Sequence, residues 1–261
     1  MKKPSLVISA KDISMIWEKK KVLDKLSLNL NSGEKLAIVG PSGSGKSTIL
    51  KILAGLILPS EGELKIFGKN QNYLRLDQSN PPDVRLVFQN PALLGSLTIE
   101  ENVGFMLNKN KNIPKSVVKE MVNGSLEEVG LYNISNKLPN ELSGGMQKRV
   151  SFARALIGDQ KENNINKPLL LFDEPTAGLD PIASTRIEDL INKTNHKVQG
   201  SSIVVSHVIS TIERTSQRVL MLYGGKFRWE GSISEFKTSR DPFVKQFREG
   251  NLKGPMQPKD T

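Results

Sequence analysis

A chain of 261 residues is long enough to bury a substantial core, in one elaborated α/β domain or two small ones. Its 37 Lys+Arg against 27 Asp+Glu give a formal net charge of +10, which points to anionic partners (lipid headgroups, nucleic acid or phosphorylated small molecules) without choosing among them. With no cysteine and only His196 and His207, a disulfide framework, thiol catalysis and cysteine-ligated zinc are excluded, and a histidine cage has too few ligands.

The opening MKKPSLVISAKD lacks the apolar core of a secretory signal, and the longest apolar run, Ile52 to Leu58, is far shorter than a membrane span. Both predict a location in the cytoplasm or on a cytoplasmic surface. The alternating stretches SLVISAKDIS, KLSLNL and GELKIF, set off by turn residues, predict antiparallel strands. Lys35 to Val39 (KLAIV) is a continuous apolar run of the kind buried in a parallel sheet, and helical spacing follows from Ser47 to Leu58. Between about 91 and 157 the pattern turns helical, with Thr98 and Glu101 forming one cap and Ser143 opening a second helix. Pro168 to Phe172 (PLLLF) and Ser202 to Ser206 (SIVVS) repeat the buried-strand pattern. Strands alternating with helices around a parallel sheet are the expected architecture. The Asn/Lys-rich stretches at 108–115 and 159–167 are expected to be solvated loops.

Between the first buried strand and its helix lies Gly40-Pro41-Ser42-Gly43-Ser44-Gly45-Lys46-Ser47-Thr48, which matches G-x-x-x-x-G-K-[ST] in the context that pattern requires. Glycines let successive backbone N–H groups turn inward on phosphate oxygens, and the helix N-terminus adds its dipole. Lys46 neutralises the β- and γ-phosphates in this reading, and the Ser47 hydroxyl ligates Mg²⁺. Leu169-Leu170-Leu171-Phe172-Asp173-Glu174 supplies the acids such a site needs at the end of a neighbouring strand. Asp173 is the candidate for the magnesium shell and Glu174 the candidate general base for water, with capping of the next helix as the plainer use of the pair.

With these residues in hand the chain resembles an ATP-binding cassette (ABC) ATPase along nearly its whole length. Leu142-Ser143-Gly144-Gly145-Met146-Gln147-Lys148-Arg149 resembles the family signature, and Gln89 after Leu86-Val87-Phe88 the Q-loop. Ala177-Gly178-Leu179-Asp180 resembles the D-loop and His207 after Val204-Val205-Ser206 the switch histidine, all in family order. The resemblance implies ATP and Mg²⁺ as cofactors and an ATPase domain over 1–240. It further implies a P-loop parallel-sheet core, an antiparallel β subdomain and an inserted helical subdomain at about 91–157. Gln89 is implied to touch the magnesium-bound water and the transporter partner, and His207 to sense the γ-phosphate. Ser143, Gly144 and Gly145 are implied to close over the nucleotide of a second, two-fold related copy. Asp180 is implied to cross that interface, with a helix cap ahead of Pro181 as the alternative. Trp17 is implied to stack on adenine, or else to pack within the strand layer. Two departures stand out: Met146 where many relatives have Gln, and a long stretch from Gly158 to Lys167 read as a surface insertion.

Within the family, Val87 to Phe105, Glu141 to Leu156 and Asp241 to Pro255 look most like the ATPases of Mla-type and chloroplast TGD-type phospholipid transporters. That implies a homodimer powering phospholipid transport through separate integral-membrane permease subunits. An MCE-type lipid-binding protein and a small regulatory subunit are implied as further partners, with no nucleic acid. The assembly is placed on the inner face of the cell membrane, whose anionic lipids suit the excess positive charge. The segment 241–261 is expected as a C-terminal extension. Its Phe243, Val244 and Phe247 share a helical face that either docks on a neighbour or packs on its own domain. The rival functions are an importer ATPase for peptides, amino acids or ions, and an ABC ATPase acting on nucleic acid or ribosomes.

Overall fold

The computed structural model describes residues 5–109, 113–157 and 167–257. Strand β1 (Leu6–Trp17) turns through Glu18 and Lys19 into β2 (Lys20–Asn31), and the buried run that follows is β3 (Lys35–Val39). Helix α1 (Lys46–Leu53) starts at the glycine-rich loop and is shorter than the expected Ser47–Leu58. Gly55, at φ +70°, ends it: its amide reaches Ile52 O at 3.0 Å and the Leu56 amide reaches Lys51 O at 2.9 Å. That left-handed C-cap stops the helix although the apolar run continues to Leu58.

The chain then forms β4 (Glu61–Ile66), β5 (Lys69–Asn70) and β6 (Val84–Val87). Next come the helices α2 (Ile99–Val103), α3 (Lys115–Glu128) and α4 (Gly144–Leu156). The Thr98 cap is as expected: Thr98 Oγ1 accepts the Glu101 amide at 3.2 Å, and Glu101 Oε2 accepts the Thr98 amide at 2.8 Å. Strand β7 (Leu169–Asp173), helix α5 (Pro181–Val198), strand β8 (Ser201–Val205) and helix α6 (Ile209–Thr215) complete the alternating part. A two-residue Gly224-Gly225 turn joins β9 (Arg218–Tyr223) to β10 (Lys226–Ser232), and both glycines have positive φ, the chemistry a tight hairpin demands. Two short helices, α7 (Ile233–Thr238) and α8 (Pro242–Glu249), finish the fold.

The smaller sheet is antiparallel in the order β2-β1-β4-β5; the larger runs β10-β9-β3-β8-β7-β6, parallel except for β10. Alternation along the buried strands divides the core. Leu36, Ile38, Leu169, Leu171, Ile203 and Val205 face the antiparallel sheet and α1. On the opposite face, Leu170, Phe172 and Val204 pack with the helices α2 to α5, while Ala37 and Val39 pack with α6 to α8. Of the candidate docking face, Val244 is fully buried in this last cluster and Phe243 and Phe247 pack against it, so this face is spent on the chain's own domain. The stretch 158–167, apart from Lys167, lies outside the described residues, as do residues 110–112 of the other Asn/Lys-rich stretch. Among the described residues no helix is long and apolar enough to cross a membrane.

Candidate active site

The parallel strands β3, β7 and β8 end together, and their C-terminal ends deliver the phosphate loop, Asp173-Glu174 and His207 to one place. At open parallel sheets this is where ligands are held. Gly40 leaves β3 at φ +153°, and a Cβ there would stand 2.1 Å from Leu222 O, so the strand fits only glycine. Gly43 and Gly45 also have positive φ, with Gly45 at the N-cap of α1.

Lys46 is buried at the start of α1, and its Nζ donates to Gly40 O and Pro41 O, both at 2.8 Å. Burial pushes its ammonium below the usual lysine range, opposed by the Glu174 and Asp173 carboxylates. Ser47 Oγ donates to Asp173 Oδ1 at 3.1 Å. Burial pushes the Asp173 carboxyl up, and the Ser47 hydrogen bond works against that shift. Adjacent hydroxyl and carboxylate oxygens are the donor set a hard divalent cation takes, so these residues fit Mg²⁺. The buried Ser44 Oγ has no hydrogen-bond partner among the described residues, and a Cβ on Gly40 would stand 3.0 Å from it.

Glu174 is buried and adopts φ +44°, a conformation a non-glycine side chain takes only when its surroundings impose it. Its amide is held by Val205 O at 2.9 Å, tying the residue to the end of β8. Glu174 Oε2 lies 2.9 Å from His207 Nδ1 and accepts the His207 amide at 3.3 Å. Behind this pair is a polar chain that the sequence reading missed. Thr176 Oγ1 and Thr211 Oγ1 are 2.8 Å apart, and Thr211 Oγ1 is also 2.8 Å from Glu188 Oε1, a carboxylate only 1% exposed. Ser210 Oγ donates to the same oxygen at 3.1 Å, and Arg214 lies 3.5 Å from Glu188 Oε2. From α4, Lys148 Nζ donates to Pro175 O at 3.4 Å and to Ala177 O.

A cleft of about 800 Å³ collects these groups. Its walls are Pro41 to Gly43 and Gly45 to Thr48 of the phosphate loop, then Gln89, Glu174 and His207, then Val22, and finally residues of the C-terminal stretch between Gln246 and Gln257. The volume is within the range of nucleotide-sized pockets. Trp17 is not brought to it. The indole sits at the turn end of the β1–β2 hairpin opposite Lys20, 57% exposed, while Val22 of the same hairpin lines the cleft.

Ser143, Gly144, Gly145 and Asp180 are also absent from this cleft. Ser143 caps α4 by accepting the Met146 amide at 3.3 Å, while Ser143 and Gly144 are exposed. Met146 packs against the helical cluster, so the departure at that position is in part a matter of packing. Asp180 Oδ1 accepts the amides of Ile182 at 2.9 Å and Ala183 at 3.0 Å, which makes it the N-cap of α5.

Residues 23–177, spanning the phosphate loop, the α4 N-terminus and Glu174, match the family model for the ABC transporter. The chain belongs to the ABC transporter family. It is an ATP-binding cassette and an ATPase, in the mixed parallel and antiparallel fold of that family. The cassette is 45% identical, over 97% of its length and 76% of the relative's, to the chloroplastic protein TRIGALACTOSYLDIACYLGLYCEROL 3 of Arabidopsis thaliana. It is 32% identical, over 96% of its length and 93% of the relative's, to MlaF of Haemophilus influenzae, an intermembrane phospholipid transport system ATP-binding protein. Among solved structures it is similar to MJ0796, a dimeric bacterial ABC transporter cassette. The TM-score is 0.75 at 30% identity, covering 87% of this chain and 98% of that one. The expected resemblance to Mla- and TGD-type ATPases is therefore borne out.

Proposed function

We propose that this ATPase powers phospholipid transport as a two-fold homodimer beneath separate membrane-spanning permease subunits. The observation that carries the lipid assignment is similarity over 96% of the chain to an ATP-binding protein of intermembrane phospholipid transport. The dimer is supported by the exposed N-terminus of α4, an anion-binding end that is absent from its own chain's cleft, and by the dimeric cassette it resembles.

In this reading the amides of Gly40 to Thr48 and the Lys46 ammonium hold the nucleotide's phosphates. Ser47, Asp173 and Gln89 would hold Mg²⁺, which neutralises charge developing on the phosphate oxygens. Glu174 takes the proton of the attacking water, and His207, oriented by the Glu174 carboxylate, hydrogen-bonds the γ-phosphate. Ser143, Gly144 and Gly145 close over the ATP of the partner copy, and Asp180 reaches across the same interface. Trp17, exposed at the turn end of the β1–β2 hairpin, stacks on the adenine of bound ATP. Closure of the dimer on ATP, and its release after hydrolysis, move the loops near Gln89 and Leu93 to Glu101 against the permease. An MCE-type lipid-binding protein and a small regulatory subunit complete the assembly at the inner membrane face, and nucleic acid has no part in it. Isolation of the native membrane complex through this chain tests the reading. Two copies of the chain with a permease and bound phospholipid are expected, whereas a permease of a peptide or amino-acid system would refute the lipid assignment.

A further inference from the structure

The wall of the cleft built by the C-terminal segment is unlike the others. Residues Gly250 to Gln257 form no helix or strand, yet the side chain of one buried residue fastens them. Gln246 Nε2 donates to Asn251 O at 3.1 Å and to Met256 O at 2.8 Å, while its Oε1 accepts the Met256 amide at 2.7 Å. Both amide hydrogens and the carbonyl oxygen of Gln246 are thus in use. A second tie runs from the Gln257 amide to Tyr223 Oη at 3.0 Å, at the end of β9. The chain passes so close to this clasp that a Cβ on Gly254 would stand 2.3 Å from Gln246 Oε1.

The clasp holds an apolar side chain in the open. Leu252 lines the cleft while 82% exposed, and it is accompanied there by Phe247, Met256, Asn251 and Gln257. The side chains by which this segment lines the cleft, Asn251, Leu252, Met256 and Gln257, are apolar or carboxamide, and such groups suit the sugar and base of a nucleotide; Lys253 lies between them in the chain but is not among the lining residues. We propose that the segment Gly250–Gln257, fixed by the Gln246 amide, is the wall of the cleft that contacts the nucleoside part of the bound nucleotide and sets its affinity. This rests on the cleft being the ATP site.

The test separates nucleoside from phosphate. Affinities of the full-length protein for ATP and for inorganic tripolyphosphate are measured by calorimetry, for the wild type, Leu252→Ala and Gln246→Glu. Leu252 is exposed, so its truncation leaves the fold intact; Gln246→Glu keeps the shape and removes the two donated hydrogen bonds. Both variants should bind ATP about five-fold more weakly, the scale of one lost apolar contact, and tripolyphosphate as the wild type does. Unchanged ATP affinity in Leu252→Ala would overturn the proposal, as would equal weakening towards both ligands. Failure of the wild type to bind either ligand would instead overturn the assignment of the cleft itself.

Discussion

His207 Nδ1 stands 2.9 Å from Glu174 Oε2, and the same oxygen accepts the His207 backbone amide. The end of β7 and the loop after β8 are thereby locked to one carboxylate. With Glu174 at positive φ and its own amide bound to Val205 O, the histidine and the carboxylate form one unit. Glu174→Gln keeps the shape and removes the base. Phosphate release should fall at least about 100-fold while ATP affinity stays within a few-fold, and an ATP-bound dimer should accumulate on size exclusion. Hydrolysis at the original rate would take the base role away from Glu174.

Lys46 Nζ donates to Gly40 O and Pro41 O, which holds its ammonium inside the glycine-rich loop. Lys46→Ala should abolish binding of a fluorescent ATP analogue. Burial disfavours this ammonium, so the nucleotide-free protein should keep its cooperative melt.

The chain of hydroxyls from Thr176 through Thr211 to Glu188 spans the loop after Glu174, the helix after His207 and helix α5. Thr211→Val preserves volume and deletes both contacts. A loss of about 1–3 kcal/mol in urea unfolding is expected from the under-satisfied Glu188 carboxylate. In the ATPase assay kcat should drop with KM unchanged, because the phosphate loop is untouched. Thr211→Ser should restore much of both, which loss of packing alone does not predict.

Asp180 titrates in a sense that can be followed. Hydrogen bonds from the Ala183 and Ile182 amides hold its carboxyl below the ordinary 3.8, so the folded chain binds the proton less readily than the unfolded one. Its stabilisation is present above that ordinary value and is lost as pH falls through the depressed one. The melting-temperature gap between wild type and Asp180→Ala should be full at pH 7 and shrink below pH 3.8. A gap that widens on acidification would contradict the cap.

The chemistry that was legible in the sequence is local chemistry. Lys46 and Ser47 sit next to the glycines that make their loop, and Asp173 and Glu174 end an unmistakable buried strand, so spacing alone places them. Glu188, Thr176 and Thr211 carry no such mark; separated along the chain, they meet only because α5 and α6 pack together. The overlong α1 shows how an apolar run misleads where a single glycine, Gly55, turns the backbone. The β9–β10 hairpin carries a local mark of the same kind, Gly224-Gly225 between two strand-like runs. For Phe243, Val244 and Phe247 periodicity gave the shared face but not its partner, because an amphipathic pattern has the same form whether it packs at home or on a neighbour.

If hydrolysis at Glu174 drives phospholipid movement, a fluorescent phospholipid reports it in proteoliposomes that contain the native membrane complex. With ATP and Mg²⁺, the wild-type complex should move the lipid and the Glu174→Gln complex should not. Equal lipid movement by the two complexes, or none by a wild-type complex that hydrolyses ATP, would contradict it.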